Sequence, residues 1–391
     1  MPSEANGQSI GAGALLAILR DGQARTRAEL AQLTGLARST VSQRLDALMS
    51  HRWVVTTEDA ISSGGRPAAA FAFNENVRVV LAADLGATHA RLAVIDLGMS
   101  VLAERAEELP IDRGPEATLD WLVAAFQEML AETGRDQTQV CGVGVGLPGP
   151  VEHASGRPVN PPIMPGWDDF PVPEWLGERL GAPVLVDNDV NIMALGEHWA
   201  AGPEVDHLIF IKIGTGIGCG IISDRRLHRG AQGAAGDVGH IRVPSSDALC
   251  RCGNIGCLEA VASGASMAAA LRAAGVEAQG SRDVVALMRA GDTRAARLIR
   301  QAGREVGGVM ASIVNFFNPS VIVLGGDIAE AGEQVLAGVR ETIYSRSLPL
   351  ATQHLTIRAS ELGDRAGVIG AAVMIVEYVL APETIDQTVT G

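Results

Sequence analysis

One lysine, Lys212, stands in a chain of 391 residues. Arginine supplies the rest of the basic charge, and the skew reads as a coding bias rather than a functional signal. Aromatics are also scarce, at 4 % of residues. With 47 % hydrophobic content, sizeable cores must therefore be built from Val, Ile, Leu and Ala. Only five cysteines occur, which argues against a disulfide framework. Cys141 and Cys219 read as small buried residues. No N-terminal run has the charged, apolar, small-residue order of a signal peptide. The most apolar late stretch, 371–380, is interrupted by Glu377 and is too short to span a bilayer. The expectation is a soluble, cytoplasmic protein with no membrane partner. A net charge of −14 argues against nucleic acid. Residues 1–75, however, balance seven arginines against seven acids, so the whole deficit lies downstream. The length favours two or three domains.

What is present begins with helical spacing at Ile10, Leu15, Leu16, Ile18 and Leu19. Thr26 to Glu29 is a capping box, and its helix stops at Gly35. A second helix from Ala37 to Met49 buries Val41, Leu45 and Leu48. It leaves Arg38, Ser39, Thr40, Gln43 and Arg44 for solvent or a ligand. Two short helices joined at a glycine turn form the helix-turn-helix pattern. Strands at Trp53–Thr57 and Ala68–Phe73 would flank a wing at Ser62–Pro67, with Arg66 placed to enter a minor groove. The reading is a winged helix-turn-helix over residues 10–75; a three-helix protein-interaction module is the alternative.

From Val77 the texture turns to apolar strands separated by glycine turns. Val79–Leu85 and Ala90–Leu97 form a hairpin whose tip carries Asp84, Gly86 and Thr88. Leu208–Ile213 and Ile221–Ser223 form another, with Gly214, Thr215, Gly216 and Gly218 at its tip. A buried strand, Val321–Leu324, ends at Gly325 and Gly326. Bare backbone amides at such tips can cradle phosphate, although neither tip is a P-loop or a Rossmann fingerprint. Together they point to a two-lobed nucleotide cleft; ordinary hairpin turns are the other reading.

His240, Cys250, Cys252 and Cys257 fall within eighteen residues. Thiolates and a neutral imidazole are the donors tetrahedral zinc prefers, and four protein donors leave no open position for water. Gly253 and Gly256 permit the tight folding such a loop needs. The pattern reads as a closed, structural zinc site; buried cysteines beside an unrelated histidine would be the alternative.

These segments resemble the ROK family of repressors and sugar kinases. The likeness rests most firmly on Gly230–His240, with Gly233, Gly236, Asp237 and Gly239, followed by Cys-x-Cys-Gly-x-x-Gly-Cys-x-Glu. The Ser-Gly-Gly-Arg-Pro wing is similar to the repressor branch. The resemblance implies an α/β, two-lobed, actin/hexokinase-like (ribonuclease H-like) domain behind a winged helix-turn-helix. It divides the chain into 1–76, a small lobe at 77–187 plus 369–391, and a large lobe at 188–368. It also implies sugar contacts at Asn160, Asn188, Asp189, Asp237, His240 and Glu259, with Asp189 as the base of a kinase. His240 would turn one ring nitrogen to zinc and the other to the sugar.

The departures from that family matter as much. The kinases carry Asp-x-Gly-Gly-Thr-Lys in the first hairpin; here it is Asp84-Leu-Gly86-Ala87-Thr88-His89. Ala87 is expected to close off a positive φ, and His89 replaces a permanent charge. Asp237 stands where the family has Glu, one methylene shorter. Simpler roles stay open for several acids. Asp187 and Asp189 could cap a helix, Glu259 could be a first-turn acid, and Asp84 could stabilise its turn. The leading expectation is a sugar-responsive regulator, homodimeric or homotetrameric, on a palindromic operator. An ATP- and Mg2+-dependent sugar kinase that retains a DNA-binding domain is the alternative, and a zinc-responsive regulator is a third.

Overall fold

In the computed structural model, residues 11–57, 69–244 and 246–390 are described. The N-terminal unit is built from α1 (Ala12–Leu19), β1 (Arg25–Thr26), α2 (Arg27–Thr34), α3 (Arg38–Ser50), β2 (Val54–Thr57) and β3 (Ala70–Phe73). The Thr26 and Glu29 side chains cap each other's backbone amides, and Gly35 turns the chain left-handed at φ 69. Leu15, Leu16, Leu30, Val41, Leu45 and Phe71 form its fully buried core. β1, β3 and β2 pair antiparallel in that order. Wing residues 62–67, Arg66 included, lie outside the described residues.

The remainder repeats one plan twice. In the small lobe β4 (Val79–Leu85), β5 (His89–Asp96) and β6 (Val101–Glu108) run antiparallel. After α4 (Pro115–Glu132), β7 (Val140–Leu147) joins β4 in parallel. Two short strands, β8 (Val151–Glu152) and β9 (Arg157–Pro158), and α5 (Val172–Leu180) lead to β10 (Val184–Asn188), which lies parallel to β7. After α6 (Asp189–Ala201) the large lobe does the same with β11 (Leu208–Ile213), β12 (Ile217–Ser223) and β13 (Arg226–Leu227). Four helices follow: α7 (Leu258–Ala262), α8 (Gly264–Ala273), α9 (Ser281–Arg289) and α10 (Thr293–Phe317). β14 (Val321–Gly325) then pairs in parallel with β11. α11 (Glu333–Arg346) and α12 (Pro349–Thr352) precede the last strand, β15 (Thr356–Ala359), parallel to β14. The chain ends in α13 (Ala366–Val379) and α14 (Pro382–Thr390).

The alternation of valine and glycine in β7 explains how the layers meet. Successive residues of a strand face opposite sides of the sheet. Val143, Val145 and Leu147 enter the core under α4 and α5. Gly142, Gly144 and Gly146 face the other way, where a Cβ would overlap Ile375, the Ala371 carbonyl and Ile192 respectively. α13 can therefore lie directly on the small-lobe sheet, while α6 lies on the large-lobe sheet and against α13. This helix pair forms the seam between the lobes. Gly196 and Gly370 are where the two backbones come closest; a Cβ on either would strike the carbonyl of Ala366 or Ile192. No single helix among the described residues is long and apolar enough to cross a membrane.

Candidate functional site

The metal candidate is built by a short loop that folds back on itself. Cys250 N–H donates to the Asn254 carbonyl at 2.8 Å and Val243 N–H to the Gly256 carbonyl at 2.7 Å. Gly253 and Gly256 adopt φ 89 and φ 78, conformations that side chains with a Cβ resist. The loop brings one donor atom from each of His240, Cys250, Cys252 and Cys257 within 4.8 Å of all the others. Cys252 Sγ stands 3.7 Å from Cys257 Sγ, and Cys250 Sγ stands 3.7 Å from His240 Nδ1. Sulfurs bound at zinc's usual bond length sit about 3.8 Å apart on a tetrahedron's edge, so this donor set could hold a zinc ion. With Nδ1 directed to the thiols, His240 Nε2 faces Asp237 at 3.9 Å.

The strap that carries Asp237 and His240 is laid along β12. Cys219 N–H donates to the Gly236 carbonyl, and a Cβ on Gly236 or Gly239 would overlap the carbonyls of Cys219 or Ile217. The two glycines let backbone touch backbone, leaving Asp237 61 % exposed. Glu259, in the first turn of α7, accepts a hydrogen bond from Ile217 N–H at 3.1 Å. It lies under Gly216, where a Cβ would meet its carboxylate. It is thus a first-turn acid that also fastens the glycine hairpin.

At the other side of the site, parallel strands β7 and β10 end at Leu147 and Asn188. Ligands of open α/β sheets bind beyond such strand ends. Asn188 caps α6 by accepting from Val190 N–H at 2.9 Å, and its amide donates to the Gly149 carbonyl at 2.9 Å. The helix cap is therefore principally Asn188, although Asp189 also accepts from Val190 N–H. Asp187, 2 % exposed, accepts from Asn191 and from Arg229 Nε, both at 2.7 Å, with His153 3.7 Å away. Asn160 is exposed at φ 44, its backbone amide bonded to Asp168. Its neighbour Val159 donates to the Pro150 carbonyl, one residue before which Asn188 is anchored.

The nucleotide candidates occupy the strand ends of both lobes. Gly214 accepts from Gly264 N–H at 2.7 Å, which ties the β11–β12 turn to the start of α8. Thr215 and Gly216 complete that turn, whereas Gly218 lies within β12, paired with Lys212, and packs on Val190. Gly325 lies against the Phe210 ring, and Gly326 turns at φ 80. At the other hairpin Thr88 is exposed, and the His89 ring covers Gly86. Ala87 does not adopt a positive φ, nor does Gly86. Backbone strain is thus not what sets this hairpin apart, contrary to expectation; the ring of His89 is. Burial, and next the charge of Lys212, hold that imidazole below its ordinary pKa.

Sequence reasoning missed Lys212. Its Nζ stands 2.5 Å from Asp189 Oδ2. Burial alone would lower the ammonium, but Asp189 and Asp84 beside it hold it above the ordinary lysine value. Its uniqueness in the chain was a usable signal, set aside as composition. Arg229 was missed as well, because its partner Asp187 is 42 residues away.

In the N-terminal unit, Arg38, Ser39 and Gln43 are exposed on α3, and Thr40 and Arg44 are half-buried. Ser39 and Gln43 lie on the helix opposite Val41, Leu45 and Leu48, whereas Arg38 and Arg44, each three residues from Val41, flank that buried stripe.

Comparison with known proteins agrees with this architecture. Residues 80–377 match the ROK family, and residues 12–58 match the IclR helix-turn-helix domain. A xylose repressor of Caldicellulosiruptor bescii is 29 % identical over 94 % of this chain and 95 % of its own length. A solved ROK family transcriptional regulator, described as a homolog of the E. coli MLC protein, superposes with a TM-score of 0.83. It covers 97 % of this chain and 98 % of that one at 27 % identity. A ROK family glucokinase from Streptomyces griseus, solved with glucose and AMPPNP, gives a TM-score of 0.64. It is 30 % identical and covers 76 % of this chain and 99 % of that one. The repressor and the regulator thus span nearly the whole chain, helix-turn-helix included, and the chain belongs to the ROK family.

Proposed function

We propose that this chain is a cytoplasmic, sugar-responsive transcriptional regulator. Residues 1–76 bind a palindromic operator through α3 and Arg66 as part of a homodimer or homotetramer. The two lobes bind a sugar or amino sugar and change operator affinity when they close on it. The observation that carries the reading is architectural: a helix-turn-helix unit shares one continuous core with the seam of a two-lobed domain. The full-length likeness to a xylose repressor supports it.

In this reading Asn160, Asn188, Asp189, Asp237, His240 and Glu259 contact sugar hydroxyls. The carboxylates accept from hydroxyls, the amides donate and accept, and His240 Nε2 takes whichever role its metal-fixed tautomer allows. Zinc at His240, Cys250, Cys252 and Cys257 is structural. It orients the imidazole and takes no part in chemistry. One zinc per chain is expected by elemental analysis of the purified protein, and Cys257→Ser should remove it. A metal-free wild type that still binds sugar would discard the zinc assignment.

The regulatory reading is tested on an operator selected from a random duplex library. Fluorescence anisotropy then follows operator binding against a panel of pentoses, hexoses and N-acetylated amino sugars. At least one sugar is expected to shift operator affinity by tenfold or more. Operator must shift affinity for that sugar by the same factor, because coupling between two ligands is reciprocal. A chain that binds duplex with an affinity no sugar alters is not this regulator.

A further inference from the structure

The regulatory reading gives Lys212 no task. Lys212, the sole lysine of the chain, sits near the end of β11 and reaches the first residue of α6. A cation at a helix N-terminus works against the helix dipole, so its position calls for a partner there. That partner is Asp189, 5 % exposed and 2.5 Å away. The strand neighbours of Lys212 in register are Gly218 on β12 and Gly325 on β14. Neither has a side chain to crowd the path of the ammonium.

A second buried carboxylate belongs to the same group. Asp84 stands level with Gly146, which is level with Asp187 in turn. The face of Gly146 is covered by α6 at Ile192 and the Cα of Asp189. Asp84 and Asp189 thus share one side of the small-lobe sheet; the charge of Asp189 disfavours ionisation of Asp84, and Lys212 acts in the opposite sense on it. Two buried carboxylates that approach one another either share a proton or take up a cation. Magnesium in phosphoryl-transfer sites is typically held by one or two carboxylates together with substrate phosphates. Here Lys212 pairs with Asp189, Arg91 stands opposite Asp84 on β5, and burial still leaves a proton on Asp84 for much of the accessible pH range. The first hairpin's backbone is covered as well, since the His89 ring lies over Gly86. The residues present therefore do not fit a metal–nucleotide complex.

We infer that Lys212 is a built-in cation, occupying the place of a divalent metal between Asp84 and Asp189 and making the cleft a receptor that works without metal–nucleotide. Lys212 acts through Asp189 and is a positioning residue. The inference goes beyond the regulatory reading, because its main readout, Mn2+ uptake, involves neither sugar nor operator.

The test uses zinc-loaded, full-length protein and Mn2+ as the probe, followed by electron paramagnetic resonance. Wild type is expected to bind no Mn2+ at millimolar concentration. Lys212→Gln should bind one Mn2+ per chain and melt at a higher temperature when it is present. Adding Asp84→Asn to Lys212→Gln should abolish both effects. Lys212→Arg, which keeps the charge, should behave as wild type and serves as the control for folding. Removing one partner of a buried ion pair destabilises strongly, so Lys212→Ser is examined in parallel, its small side chain leaving room for a hydrated ion. Mn2+ uptake by wild type overturns the inference, as does folded Lys212→Gln or Lys212→Ser that takes up none. So does phosphoryl transfer from MgATP to any sugar by wild type.

Discussion

Asp84 is the last but one residue of a strand that is buried throughout, and burial pushes its carboxyl up to about 7 against the pull of Lys212. The unfolded chain titrates this group near 3.8. Below that value both states hold the proton and the residue contributes no pH dependence. Between 3.8 and about 7 the native state holds more protons than the unfolded one, so stability falls as pH rises. Above 7 the penalty is constant. Asp84→Asn removes the ionisation and keeps the shape. Its melting temperature, relative to wild type, should climb from pH 4 to pH 7 and then level off. A difference independent of pH, or one that shrinks with rising pH, would contradict the burial argument. Residue-scale legibility followed sequence distance. The His240–Cys257 donors lie in one short loop and could be read as a metal set. Lys212 and Asp189 are 23 residues apart on elements whose mutual placement no spacing announces.

Elements were legible where periodicity or capping spoke locally. The Thr26–Glu29 box and the first glycine hairpin stand where the pattern places them, while the return strand of the second hairpin begins at Ile217, four residues earlier than its glycines suggest. Others left weaker signals. β6 alternates half-buried and exposed residues, many of them charged, along a sheet edge. Edge strands are often built this way, since charge there discourages further pairing, but it reads as surface. α5, α11 and α14 carry no comparable local mark. The apolar stretch 371–380 within α13 is visible, but its role is not, because a helix apolar on every side shows no preferred face. Its twelve buried residues lie between the small-lobe sheet and α6. Gly196 and Gly370 illustrate the difficulty. Helix propensity counts each against its helix by about 1 kcal/mol relative to alanine. Only the contact between the two backbones explains why neither can be alanine.

At the scale of the whole molecule, the two ends of the chain meet. Gly13 N–H in α1 donates to Asp386 in α14 at 2.8 Å, and α1 packs on α14 and on α3. Ile385 and Leu380 join Leu15, Leu16 and Leu19 in the core that also holds Ile192 and α13. Asn188 and Asp189 start α6, α6 lies on α13, α13 leads into α14, and α14 touches the DNA-facing unit. A change in lobe closure that shifts α6 against α13 therefore has a packed route to α3, and half-site spacing on DNA is sensitive to such shifts. Spatial continuity alone does not establish coupling, so the route needs a perturbation remote from both ligands. Asp386→Ala deletes one hydrogen bond, an effect of about 1 kcal/mol, and touches neither the sugar candidates nor α3. Sugar affinity without DNA, and operator affinity without sugar, should each stay within twofold of wild type. The factor by which sugar changes operator affinity should fall at least threefold, measured by anisotropy with the selected duplex. An unchanged factor would show that lobe closure reaches the operator by another path, through the Asn74–Val77 connection between β3 and β4.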